Sequence, residues 1–196
     1  MLVVVRDRFS AAARDCDVKQ SHWLRYTYLA FFSKPASDRR LFRNLRRWRP
    51  SRVVQIGLGT AERSQRLLDV IARYAPKAVQ FTGLDPFEAE GRTSLKDYYR
   101  LLQRDGVKIN LIPGDPHSAL ARSANLLSQT NLLLIGKSAA GESLDAGWFY
   151  VPRMLAAGSV VIREHVVDNH ETRWQTVAIH DICQWADQQR VLRRSA

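Results

Sequence analysis

The chain has 196 residues, of which 45% are hydrophobic and 25% charged. That length suits one ordinary domain with a small appendage, and the composition is too apolar for a disordered chain and rich enough to build a core without metals or disulfides. The 30 Lys and Arg outnumber the 19 Asp and Glu, giving a formal charge of +11; so basic a balance favours anionic partners such as nucleic acid, an acidic membrane surface or a phosphorylated substrate.

The apolar run Leu2 to Val5 ends at Arg6, Asp7 and Arg8, far short of a signal sequence. Trp23 to Phe32 is interrupted by Arg25 and Thr27 and is about half the length that a membrane span requires. Cys16 and Cys183 form neither a CxxC pair nor a metal spacing, so they read as free thiols. Together these features predict a soluble, cytoplasmic protein with no membrane span.

Residues 1–50 hold 12 Lys and Arg and 4 Asp and Glu, a net +8 of the total +11. The expected organisation is therefore a basic helical appendage over 1–50 and an α/β domain over 51–196. In the appendage, a helix is expected from His22 to Phe32, stopped by Lys34-Pro35. Ser37 is the expected N-cap of a second helix running to about Arg49. Leu41, Leu45 and Trp48 share one face of it, with Arg39, Arg43, Arg46 and Arg47 on the rest. That cationic side suits nucleic-acid phosphates, with Trp48 able to stack on a base, or simply a solvated face. The aromatic residues Trp23, Tyr26, Tyr28, Phe31 and Phe32 suit packing on the core, a second subunit in a homo-oligomer or a membrane surface.

From residue 52 strands and helices alternate. Strands are expected at Val53–Ile56, Val79–Leu84, Lys108–Ile112, Asn131–Ile135 and Ser159–Arg163, and a very short one at Val191-Leu192. Helices are expected at 61–74, 93–104, 118–127, 149–157 and 171–188. This order implies a mostly parallel, Rossmann-like sheet of five to six strands with helices on both faces.

The sharpest local signal is Val53-Val54-Gln55-Ile56-Gly57-Leu58-Gly59-Thr60-Ala61, a buried strand, a GxG turn and a helix start. Glycine permits the tight turn and lets a ligand approach the backbone, where helix N-terminal amides face it. A dinucleotide fingerprint needs a third glycine where Glu62 stands, and a P-loop needs a Gly-Lys-Ser/Thr ending. Neither is met, so NAD, FAD and nucleoside triphosphates are disfavoured.

Over residues 52–164 the sequence resembles the class I S-adenosylmethionine-dependent methyltransferase family. Gly57 to Ala61 is similar to its glycine-rich first motif. Gly83-Leu84-Asp85 is similar to the second, where an acid holds the ribose hydroxyls, and Gly114-Asp115-Pro116 to the third, where an acid lies near the adenine amine. The resemblance implies S-adenosylmethionine as cofactor, bound by Gln55, Gly57, Gly59, Asp85 and Asp115. Three positions depart from the pattern: Gln55 replaces an acid, Ala61 a glycine, and Gly136 the acid that usually ends the fourth strand. The family's closing pair of strands also looks cut short. Two readings follow: a methyltransferase of unknown acceptor, or a degenerate, non-catalytic methyltransferase fold that binds a partner through its basic face.

Other candidates for chemistry are few. His165 lies just past the fifth strand, where α/β ligands bind, and is the candidate general base. Glu164, His165, Asp168 and His170 have metal-ligand chemistry but also the composition of any polar loop, and no metal is expected. Lys137 could bind an anionic substrate, or be a solvated loop lysine. His117 could line the adenine side or cap a helix. His22 and His180 are expected to pack.

Overall fold

A computed structural model describes residues 23–87, 93–167 and 171–195. Six strands form one sheet in the order β3-β2-β1-β4-β5-β6. They are β1 (Arg52–Ile56), β2 (Val79–Asp85), β3 (Val107–Pro113), β4 (Thr130–Ile135), β5 (Leu155–Val166) and β6 (Thr172–Val177). The first five run parallel and β6 is antiparallel to β5.

The central strands are apolar on both faces because helices cover both. Side chains alternate along a strand, so Val53, Leu132 and Leu134 point to one face, and Val54, Ile56, Leu133 and Ile135 to the other. The first face is covered by α1 (23–31), α2 (Ala36–Trp48), α3 (Ala61–Tyr74) and α4 (Leu95–Leu102). The second is covered by α5 (Pro116–Ser123), α6 (Glu142–Gly147), α7 (Val151–Met154) and α8 (Ile179–Ser195). Tyr26 and Leu29 of α1, and Leu41, Phe42 and Leu45 of α2, join Val53, Leu67 and Phe81 in one buried cluster.

The sheet and its helices match the sequence-based expectation, with corrections at several ends. The helix expected over 171–188 is replaced by strand β6 followed by α8. Thr172 to Gln175 alternates half-buried and exposed positions, and pairing with the open edge of β5 satisfies the strand's backbone. The closing strand is thus present, and Val191-Leu192 lies in α8. The helix expected over 149–157 ends at Met154, because β5 begins at Leu155 and pairs with β4 from there. Helix α2 starts at Ala36 with Pro35 as N-cap, so Ser37 caps nothing; its hydroxyl lies 3.4 Å from that of Thr172. Helix α5 starts at Pro116, two residues early, because Asp115 caps it. His180 is exposed rather than packed. His22 lies outside the described residues.

Candidate functional site

The sheet order reverses between β1 and β4, both of which end beside the glycine loop. In open α/β sheets, ligands bind outside the carboxyl ends of strands at such a reversal. Gly57 (φ 72°) and Gly59 (φ 64°) both adopt the left-handed conformation that glycine tolerates. A Cβ on Gly57 would fall 2.8 Å from Ser138 Oγ and 2.9 Å from Ala139 N, so the loop lies tight on the turn after β4. A Cβ on Gly59 would meet nothing within 4 Å, so that position opens onto free space.

Gln55 does not face that space. It is buried at the end of β1, where its amide nitrogen donates to the Leu58 carbonyl at 3.3 Å and its amide oxygen accepts from Ser64 Oγ at 3.3 Å. With the Ser64 proton on Gln55, Tyr98 is the donor in its 2.8 Å bond to Ser64 Oγ. Burial pushes the Tyr98 phenol up to about 12. A carboxylate at position 55 could not donate to Leu58, which is a physical reason for Gln there.

Asp85 is buried at the end of β2, and its Oδ2 accepts from the Leu58 amide at 2.8 Å. Thus Gln55 and Asp85 hold the two backbone groups of Leu58, and with them the loop. Asp115 is exposed and caps α5, accepting from the Ser118 amide at 3.1 Å, from the Ser118 hydroxyl and from Ser143 Oγ at 2.5 Å. The Ser118 hydroxyl, then that of Ser143, holds its carboxyl far below the usual range.

A cleft of about 860 Å³ extends from the glycine loop across the ends of β4, β5 and β6. Gly57, Gly59, Thr60, Gly136, Lys137 and the first turn of α2 line it, while Gln55, Asp85 and Asp115 do not. Its wall holds a charge network that the sequence pattern concealed. Arg63 of α3 donates to Asp38 of α2 at 2.8 and 3.1 Å and to Glu164 of β5 at 2.8 and 2.9 Å. Trp174 of β6 donates its indole N–H to Asp38 at 2.8 Å, and the Arg63 guanidinium lies 5.0 Å from the Trp174 ring centroid. The Lys137 amide donates to Glu164 at 3.1 Å. Asp38 is 2% and Glu164 4% exposed. Burial alone would lower the Arg63 pKa, but its bonds to Asp38 and Glu164 outweigh burial and raise it. Burial would likewise raise Glu164, but the Arg63 bond holds it below the ordinary glutamate value. One arginine between two carboxylates leaves a formal surplus of one negative charge.

Position 136 is sterically reserved. A Cβ on Gly136 would lie 2.3 Å from the Gly57 carbonyl oxygen, so no side chain can stand at the end of β4 without displacing the loop. His165 follows Glu164 on β5 and therefore points to the opposite face; it is half-buried, opposite Arg173 in register, and is not among the cleft's walls. Asp168 and His170 lie outside the described residues, and Glu164 is committed to Arg63. His117 faces α8, where its Nε2 lies 2.6 Å from the Arg193 guanidinium. Lys137 is exposed on the cleft wall. Sequence spacing gave no sign of the Asp38–Arg63–Glu164 network, since its members stand 25 and 101 residues apart; the one available hint was an arginine where the helix after a glycine loop begins.

No protein-family model and no curated protein sequence matches the chain. Solved structures do. The MycE methyltransferase of the mycinamycin biosynthetic pathway, in complex with magnesium, SAH and mycinamycin VI, superposes with a TM-score of 0.50 at 18% identity. The fold is that of the class I methyltransferases. The match covers 74% of this chain but 38% of MycE, so the chain spans well under half of that structure's length. A SAH-bound methyltransferase of Podospora anserina aligns over 99% of this chain and 86% of its own, with a TM-score of 0.48 and 12% identity. The apo-structure of CmcI aligns over 64% of this chain and 50% of its own, with a TM-score of 0.46 and 18% identity. At these identities the methyltransferase fold is what is shared. Among the described residues no helix is long and apolar enough to cross a membrane.

Proposed function

We propose that the chain binds S-adenosylmethionine at the glycine loop and transfers its methyl group to a small acceptor in the adjoining cleft. The observation that carries this reading is the pair of positive-φ glycines at the sheet's reversal point, with open space over Gly59. The residues present fit the cofactor: the loop is braced from below by Gln55 and Asp85, and the cleft volume lies in the usual range for small-molecule sites. Gly57 and Gly59 would face the adenosyl moiety, Asp85 would meet its ribose from beneath the Leu58 amide that it also accepts from, Gln55 would act through Leu58, and Asp115 would stand at the outer edge. S-adenosylmethionine supplies an electrophilic methyl on a sulfonium. The chain's part is orientation, since aligned reactants alone remove much of a transfer barrier. No base is assigned: Glu164 is locked by Arg63, and His165 stands on the other face. Lys34 and Lys137 on the cleft wall suit an anionic acceptor. In this reading the basic segment 1–50 serves the domain over 51–196 by supplying Asp38 and the cleft's outer wall, and the exposed thiol of Cys183 suits a cytoplasmic location.

The filled position at Gly136 favours a second reading, in which the fold binds the cofactor or a partner without catalysis. Thermal melting with S-adenosylhomocysteine, followed by a methyl-transfer assay on anionic small molecules, separates the two. A raised Tm with transfer supports the enzyme, and a raised Tm without transfer supports the non-catalytic form. An unchanged Tm at millimolar ligand removes the cofactor from both.

A further inference from the structure

Helix α1 has only two polar side chains, Arg25, which pairs with Asp69, and Thr27, whose hydroxyl donates to the Trp23 carbonyl. Tyr26, Leu29 and Ala30 are buried against the core, which is the ordinary fate of one side of an amphipathic helix. The opposite side carries Trp23, Leu24, Tyr28 and Phe31, continued by Phe32 just past the helix end. All five are half or more exposed, from 50% for Phe31 to 65% for Phe32. A helix this rich in apolar residues is normally buried on more than one side. Among the described residues nothing covers this outer side.

Cations flank the aromatic ridge, and two of them are fixed in place. Arg43 Nη1 donates to the Ala30 carbonyl at 3.2 Å, with its guanidinium 5.6 Å from the Phe31 ring centroid. Arg39 Nε donates to the Ser33 carbonyl at 2.8 Å. Residues 23–50 contain 8 Lys and Arg and a single acid, Asp38, and that acid is buried in the Arg63 pair. The surface of this helical hairpin therefore presents aromatic rings and cations with no exposed carboxylate among its described residues.

We infer that the outer face of α1, with Arg40, Arg43 and Arg47 of α2, is a docking surface for an anionic lipid bilayer. The rings would enter the headgroup boundary, where Trp and Tyr are favoured, and the guanidiniums would meet lipid phosphates. Charge complementarity selects this occupant over a second copy of the chain, whose matching face would bring the same cations together. Leu24, an exposed aliphatic side chain with no ring for a base to stack on, favours lipid over nucleic acid. The inference is independent of the cofactor reading, since none of these five apolar residues lines the cleft.

Flotation of the full-length protein with vesicles tests it. The protein should float with phosphatidylcholine vesicles containing phosphatidylglycerol, and not with phosphatidylcholine alone, and binding should weaken as salt is raised. Phe31→Ser with Phe32→Ser, and separately Arg40→Gln with Arg47→Gln, should each reduce binding about tenfold or more. Both pairs are exposed, so thermal melting should be unchanged. Absence of flotation on the anionic vesicles, or flotation that neither double variant weakens, overturns the proposal. So does a wild-type dimer in gel filtration that Phe31→Ser with Phe32→Ser dissolves while vesicles go unbound. Retention of poly(U) RNA without vesicle binding overturns it in favour of nucleic acid.

Discussion

The two halves of the sheet's carboxyl edge are built on different plans. At the β1–β2–β3 end, hydrogen bonds to backbone do the work: the strand-end Asp85 accepts from the Leu58 amide of the glycine loop, and Asp115 caps α5. At the β4–β5–β6 end, Gly136 leaves no room for a side chain, and the buried carboxylates are Asp38 and Glu164 around Arg63. In the first half, buried hydrogen bonds to Leu58 brace the glycine loop. The second ties α2 to β5 and β6 through a buried ion network. One sheet edge thus rests on two kinds of support, a hydrogen-bonded loop at one end and a buried ion network at the other.

The largest blow to this division should come from Arg63→Met. It leaves Asp38 and Glu164 buried without their cation, and breaking a buried pair from one side costs about 3–5 kcal/mol. Urea unfolding measures it; a loss below about 1 kcal/mol would mean that the network is not buried as described. Gly136→Asp restores the acid to β4 but drives it into the Gly57 carbonyl, and should cost about 1–3 kcal/mol by overpacking. It should also weaken any ligand of the loop. Gln55→Glu sharpens the other side. It sets a carboxylate against the Leu58 carbonyl and should destabilise by about 1–3 kcal/mol, despite matching the family's acid. Tighter cofactor binding by this variant would contradict the bracing role of Gln55.

A smaller effect concerns pH. Arg63 holds the folded Glu164 below the ordinary glutamate value of about 4.3, so its contribution is complete above that value and lost as pH falls through the folded one. The stability gap between wild type and Glu164→Gln should therefore narrow as pH drops from about 7 to about 3. A gap that stays constant across that range would show that Glu164 titrates alike in the folded and unfolded chains.

These halves also differ in how legible they were. Strands β1 to β4 and the glycine loop follow from apolar runs, turn glycines and helix periodicity, all of which are local. Strand β6 is not legible as a strand because Thr172 to Val177 has no apolar run; the open edge of β5 makes it one. Nothing in the sequence pattern singles out Asp38, which Arg63 and the Trp174 indole draw inward. The exposed side of α1 was legible as aromatic, but which of its rings face outward was not, since that depends on where the helix rests on the core. Asp115 was legible as both turn residue and ligand candidate, and its bonds to Ser118 and Ser143 show the capping half of that choice.

The proposed cofactor site stands or falls on whether the glycine loop holds an adenosyl ligand with Asp85 near the ribose. Calorimetric titration of S-adenosylhomocysteine into wild type and Asp85→Ala, with NAD as a control, decides that reading. Wild type should bind saturably, the variant should lose about 1–3 kcal/mol, typical for a charged hydrogen-bond partner, and NAD should give no heat. Saturable NAD binding with no response to S-adenosylhomocysteine would contradict it.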